Sequence, residues 1–256
     1  MRQGITDVVK HLLIINVVMF IGTLFIGNGS FYQWFALYFP KSEMFQPWQV
    51  LTHMFMHGGG FVEKLSITHL LFNMFALWMF GTAVEQIFGW KKFLTFYLLS
   101  GFGAAIIQVA FLYFQFNTGL GMLLEKGYPL SDIMAVLNNG NYQQLKPIMG
   151  VDSYNSFVGA FNSTMVGASG AIMGVLVAFG MLFPESKLML IFLPIPIKAK
   201  YFIPAIIALD LFSGITGQSI FSPSNTAYMA HVGGAFTGFL LMYFWKKNEK
   251  DKYRWN

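Results

Sequence analysis

The chain has no cysteine among its 256 residues, which excludes disulfides, thiolate metal sites and a cysteine nucleophile. Charge is also scarce. Asp, Glu, Lys and Arg make up 11% of the residues, against about 25% in soluble domains, so most of the surface is not built to face water. Apolar residues take their place: 55% of the chain is hydrophobic, with 29 Phe and 16 Met, and mean hydropathy is +0.56. There is no convincing internal repeat, which argues against a transporter assembled from inverted halves.

Six segments are long and apolar enough to cross a bilayer, for which a helix needs about 20 residues. They are 10–28, 67–88, 92–116, 164–183, 201–217 and 227–245. The expected fold is an all-α, multi-pass membrane bundle forming a single domain over residues 1–256, with the lipid bilayer as its surroundings. The fifth segment is short and carries Asp210. The first follows Arg2 and Lys10 as a signal peptide would, but it lacks a small-residue cleavage site and is read as a retained span. With both termini cytoplasmic, twelve of the sixteen basic residues fall inside, including Lys91, Lys92, Lys187, Lys198, Lys200 and the run from Lys246 to Arg254. Lys41, Lys64, Lys126 and Lys146 fall outside. That asymmetry follows the positive-inside rule. It explains the net charge of +5 without nucleic acid as a partner.

Two outside loops are long, 29–66 and 117–163. The first is aromatic (Trp34, Phe35, Trp48, Phe55, Phe61), with a flexible bend at Gly58-Gly59-Gly60, and is expected at the headgroup level, which Trp and Tyr favour. The second contains Pro129-Leu130-Ser131-Asp132 before Ile133, Met134, Val136 and Leu137, the pattern of a short amphipathic helix.

Reactive polar side chains inside apolar segments are costly and therefore mark functional sites. Ser169 lies in Gly167-Ala168-Ser169-Gly170-Ala171-Ile172-Met173-Gly174, where the second loop becomes the fourth span. There the first-turn backbone N–H groups have no intrahelical partners and can hold an anion. Taken alone, Gly170-x-x-x-Gly174 reads rather as a small-residue packing stripe. His231 changes the balance. Gly234 and Gly238 follow it at i+3 and i+7 on one helical face, and that face can approach Gly170 and Gly174 closely enough for Ser169 to reach the imidazole. His69 and Asn73, at i and i+4 in the second span, are either donors aimed at a developing oxyanion or a polar pair joining helices. His53 and His57 have too few acidic neighbours for a metal site, and no metal or cofactor is expected. Glu85 and Asp210 are read as structural, with Asp210 hydrogen-bonding within the bundle or capping a kink near Gly214.

The ordered set is specific. His69-x-x-x-Asn73, Gly81-x-x-x-Glu85-x-x-x-Gly89, Gly167-Ala168-Ser169-Gly170 and Ala230-His231-x-Gly233-Gly234-x-x-x-Gly238 together resemble the rhomboid intramembrane serine proteases over essentially the whole chain. The resemblance implies a six-helix bundle in a membrane, here expected to be the bacterial cytoplasmic membrane. It implies Ser169 as nucleophile and His231 as general base in a dyad with no carboxylate. His69, Asn73 and the Ser169 N–H would form the oxyanion hole, while Gly167, Gly170, Gly174, Gly234 and Gly238 would permit close helix packing. The fifth span and the loop after it would resemble a lateral gate, and the substrates would be single-span membrane proteins. Relatives lacking the Ser or the His bind client helices without cutting them; both residues are present here. Two departures stand out. Gln49 follows Trp48 where the family commonly has Arg, which would loosen the first loop. Met173 stands where many members place a Tyr against the histidine, so another group must hold His231.

Overall fold

The computed structural model describes residues 4–58, 64–190, 193–220 and 226–252. The bend at Gly59-Gly60, Phe61, the loop 221–225 and the terminal Arg2 and Arg254 lie outside the described residues. The first helix, α1, runs Asp7–Phe25, and the first loop follows it with α2 (Ser30–Phe35), β1 (Leu37–Tyr38) and α3 (Gln49–Thr52). A continuous helical rod then comprises α4 (Lys64–Ala76), a π-helical turn Leu77–Gly81 and α5 (Thr82–Phe88). Gly89, at φ +73°, breaks it.

Next comes α6 (Trp90–Glu125), followed by α7 (Leu130–Asn138), α8 (Lys146–Met149) and α9 (Val151–Phe161). A short β2 (Thr164–Met165) pairs antiparallel with β1 and leads into α10 (Ser169–Leu182). The hairpin of β3 (Lys187–Leu190) and β4 (Leu193–Lys198) joins α10 to α11 (Ala199–Thr216), and α12 (Tyr228–Lys252) completes the bundle.

Among the described residues, four helical stretches are long and apolar enough to cross a membrane: Asp7–Phe25, Ile67–Phe88, Trp90–Glu125 and Ala199–Thr216. They match four of the six expected segments, with shifted ends. The third runs nine residues beyond the expected end at 116, so the second loop begins as helix. The fourth expected span, 164–183, starts only at Ser169, because residues 164 and 165 are committed to the β1 ladder. At 14 residues α10 is apolar but short. In α12, three glycines, His231 and a lysine-rich end dilute the apolar run. Apolar side chains line the outside of the bundle, among them Val18, Phe25, Ile215, Phe236 and Phe239. An apolar surface of that extent is stable only against another apolar phase.

Three helices form the centre: α12 packs along both α6 and α10, and α10 along α6. Glycine makes this possible. A Cβ on Gly234 would overlap the Gly170 carbonyl, and one on Gly238 would sit 2.6 Å from the Gly174 Cα. On the other side Gly174 faces Ser100, and a Cβ on Gly233 would come within 2.9 Å of the Gly103 carbonyl oxygen. Gly170, Gly174, Gly234 and Gly238 thus lie in one seam where α10 and α12 touch backbone to backbone. Gly167 does not belong to it. It precedes α10 in a turn at φ +119°, a backbone region that glycine adopts without the penalty of a side chain.

Glu85 shows how the bundle satisfies a buried helix start. It is 4% exposed, and its carboxylate accepts from Thr6 Oγ1 at 2.6 Å, Val8 N at 3.0 Å and Val9 N at 2.9 Å. An acid from α5 therefore caps α1, using amides that no intrahelical carbonyl can reach. The second loop has its own apolar centre, built from Phe116 and Leu123 of α6, Ile133 and Leu137 of α7, and Phe157 and Phe161 of α9. The amphipathic helix expected near 130–137 is α7.

Two outcomes follow. Glu85→Ala strands three donors and should lower stability by about 2 kcal/mol, read as an earlier thermal unfolding midpoint in detergent. Gly234→Ala should cost roughly 1–3 kcal/mol through overpacking; an unchanged midpoint in either variant would contradict the packing described.

Candidate active site

Ser169 is the first residue of α10, and its position is set from the first loop. The Gly167 N–H donates to the His53 carbonyl at 2.9 Å, just after the two-residue ladder that pairs Leu37 with Met165. His53 is itself held, Nδ1 to the Gln49 carbonyl at 2.9 Å. The missing Arg after Trp48 therefore does not loosen this loop. Gln49 is fully buried. Its Oε1 accepts from Gln46 N at 3.0 Å, and its Nε2 donates to the Gln33 and Met44 carbonyls, each at 3.1 Å. A compact amide that donates and accepts ties the loop together without a charge to desolvate.

His231 lies in the first turns of α12. The helix start is fixed by Gln108 of α6, whose Oε1 accepts from Ala230 N at 3.1 Å. With the glycine seam closed, the His231 Nε2 is 2.8 Å from Ser169 Oγ, within the range of a nucleophile–base pair. The other ring nitrogen, Nδ1, is 2.8 Å from Asp210 Oδ2. The resemblance implies a dyad with no carboxylate, yet an aspartate from α11 contacts the histidine. Asp210 does hydrogen-bond within the bundle, but on His231 rather than at a kink. Met173, four residues after the serine, is buried in the apolar core. Asp210 and His231 are 21 residues apart in sequence, beyond the reach of any local pattern. The available signal was that a lone acid in an apolar span needs a partner.

His69 stands on the other side of the serine turn. A Cβ on Gly167 would come within 3.1 Å of the His69 Nε2, so this glycine makes room for an imidazole rather than for a helix. Asn73 is buried one turn along, with its Nδ2 donating to the His69 carbonyl at 2.9 Å. The ring of His57 lies against that of His69, centroids 5.2 Å apart. Beside the start of α12 opens a cleft of about 440 Å³ lined by uncharged polar side chains, including Gln108, Gln115, Asn155, Ser156 and Thr226.

A hydroxyl hydrogen-bonded to an imidazole thus lies inside an apolar helical bundle. Residues 44–248 match the Rhomboid domain, and the chain belongs to the rhomboid family. It is 26% identical over 190 residues to the presenilin-associated rhomboid-like protein A, mitochondrial, of Danio rerio, covering 72% of this chain and 37% of that protein. It is 36% identical over 91 residues to RHOMBOID-like protein 6, mitochondrial, of Arabidopsis thaliana, covering 35% and 27%. With the rhomboid protease GlpG of Salmonella paratyphi A it shares 29% identity over 111 residues, 43% and 38% of the two chains. The matches thus span roughly a quarter to two fifths of these relatives. Family and apolar helices make this an integral membrane protein. With mitochondrial proteins among the relatives, the expected bacterial cytoplasmic membrane gains no support.

Burial fixes the protonation of the two loop histidines. It lowers His57 from the ordinary 6.5 to about 3, with His69 adding to the effect, and lowers His53 to about 4. Both stay neutral in the folded protein, whereas the unfolded chain takes up protons below about 6.5. Their contribution is therefore complete above that pH and is lost as pH falls toward 4 and 3. Thermal midpoints in detergent should drop between about pH 7 and pH 4, and His57→Asn should flatten that dependence. A profile as steep in the variant as in the wild type would contradict this.

Proposed function

We propose that this rhomboid-family protein is a serine endopeptidase that cuts transmembrane segments near the outer face of its membrane. The observation that carries the reading is the 2.8 Å contact between Ser169 Oγ and His231 Nε2 at the start of a helix. Six helices cross, α1, α4–α5, α6, α10, α11 and α12, with both termini on the side rich in Lys and Arg. A helix of 14 residues rises about 21 Å, short of the ~30 Å hydrocarbon layer. A helix of that length with its far end at the cytoplasmic face begins below the outer boundary, which supports cleavage of a substrate helix within the membrane.

His231 Nε2 takes the proton of Ser169 as Oγ bonds to the scissile carbonyl carbon. The oxyanion is received by the Ser169 N–H, the His69 ring and the Asn73 amide, whose second hydrogen remains to be offered. Collapse of the tetrahedral species breaks the C–N bond, and His231 passes its proton to the leaving amine. Water then attacks the acyl-enzyme, again giving its proton to His231, and releases the acid product with Ser169 restored. A client-binding protein without activity would not need Ser169 and His231 joined. Ser169→Ala and His231→Ala should each lower cleavage of a single-span substrate in liposomes by roughly 10⁴–10⁶, with unchanged thermal midpoints. Cleavage that survives in Ser169→Ala would overturn the proposal.

A further inference from the structure

We infer that Asp210 is a positioning residue for His231, so that this site works as a serine–histidine–aspartate relay rather than as a bare pair. The inference rests on the proposed protease reading and deepens it. Three observations carry it. The Asp210 side chain is 3% exposed and that of His231 13%, so the carboxylate sits in the bundle interior, where an acid is costly unless hydrogen-bonded. Its Oδ2 lies 2.8 Å from Nδ1, on the opposite side of the ring from Ser169. And α11, which carries it, otherwise offers the bundle mostly apolar contacts: its buried residues are Ala199, Ile203, Asp210 and Ser213.

The chemistry follows from the tautomer. A carboxylate accepts but does not donate, so the ring nitrogen facing Asp210 must be Nδ1–H. That leaves the lone pair on Nε2, the nitrogen that faces Ser169 Oγ, and holds the ring plane toward the hydroxyl. When Nε2 takes the serine proton, the carboxylate offsets the charge formed on the ring. Met173, where a ring would otherwise steady the histidine, is then no loss: steadying from the α10 side is replaced by a hydrogen bond from α11.

Asp210→Asn distinguishes positioning from mere support. The amide matches the carboxylate in size but can turn its NH₂ toward Nδ1, which moves the ring proton to Nε2, the wrong nitrogen. In liposomes with a single-span substrate, kcat should fall by about 10²–10⁴ with KM and the thermal midpoint little changed. Asp210→Asn should be no more active than Asp210→Ala, and Asp210→Glu should recover part of the loss. Equal kcat in wild type and Asp210→Asn would overturn the inference while leaving the protease reading intact; wild type inert on every substrate would sink the protease reading instead. Should the variants fail to fold, ¹⁵N-histidine spectra of the wild type decide. The His231 signal should report Nδ1–H with Nε2 unprotonated, and an Nε2–H ring would refute the inference.

Discussion

Everything near Ser169 depends on the backbone-to-backbone contact of α10 with α12. Four residues without side chains, Gly170, Gly174, Gly234 and Gly238, let the helices approach until a Cβ at Gly234 would overlap a carbonyl. In lipid there is no hydrophobic drive to pull helices together, so close packing and hydrogen bonds must do it. The seam contributes the packing, and it also sets the distance over which a short serine side chain reaches an imidazole. An ordinary helix pair, with axes 8–10 Å apart, leaves more room than one hydroxyl can bridge.

A second constraint is that helix ends buried in the bundle must find partners elsewhere in the chain. Glu85 does this for α1, 76 residues away from Val9, and Gln108 does it for α12 across 122 residues. Gln49 and His53 perform the same service for the first loop, which in turn fixes Gly167 and the start of α10. The site is thus built from the outside inward. Loop hydrogen bonds place the serine, a glycine seam brings the histidine, and an aspartate from α11 meets its far ring nitrogen.

Much of this was legible in the sequence because membrane helices advertise themselves by length and composition, and because glycines at i+3 and i+7 from His231 share its face. The Ser169–His231 contact and the location of Ser169 at a helix start both follow from such local periodicity. What escaped depends on distant residues. Nothing within a window around Asp210 identifies His231 as its partner, and the absent arginine after Trp48 gave no hint that Gln49 would take over the loop. Gly167 was grouped with the packing glycines because spacing does not register a positive φ. The folded second loop, with Phe157 stacked on Phe116 at 5.0 Å, was hidden because its apolar residues are scattered over short helices instead of forming one long run.

The most direct measurement is to treat the protein in liposomes with a fluorophosphonate and map the adduct by peptide mass spectrometry. If Ser169 is activated by His231, the adduct forms on Ser169 and on no other serine, and it disappears in His231→Ala. An unmodified Ser169 in folded protein, or modification that persists without His231, would contradict the chemistry assigned to this site.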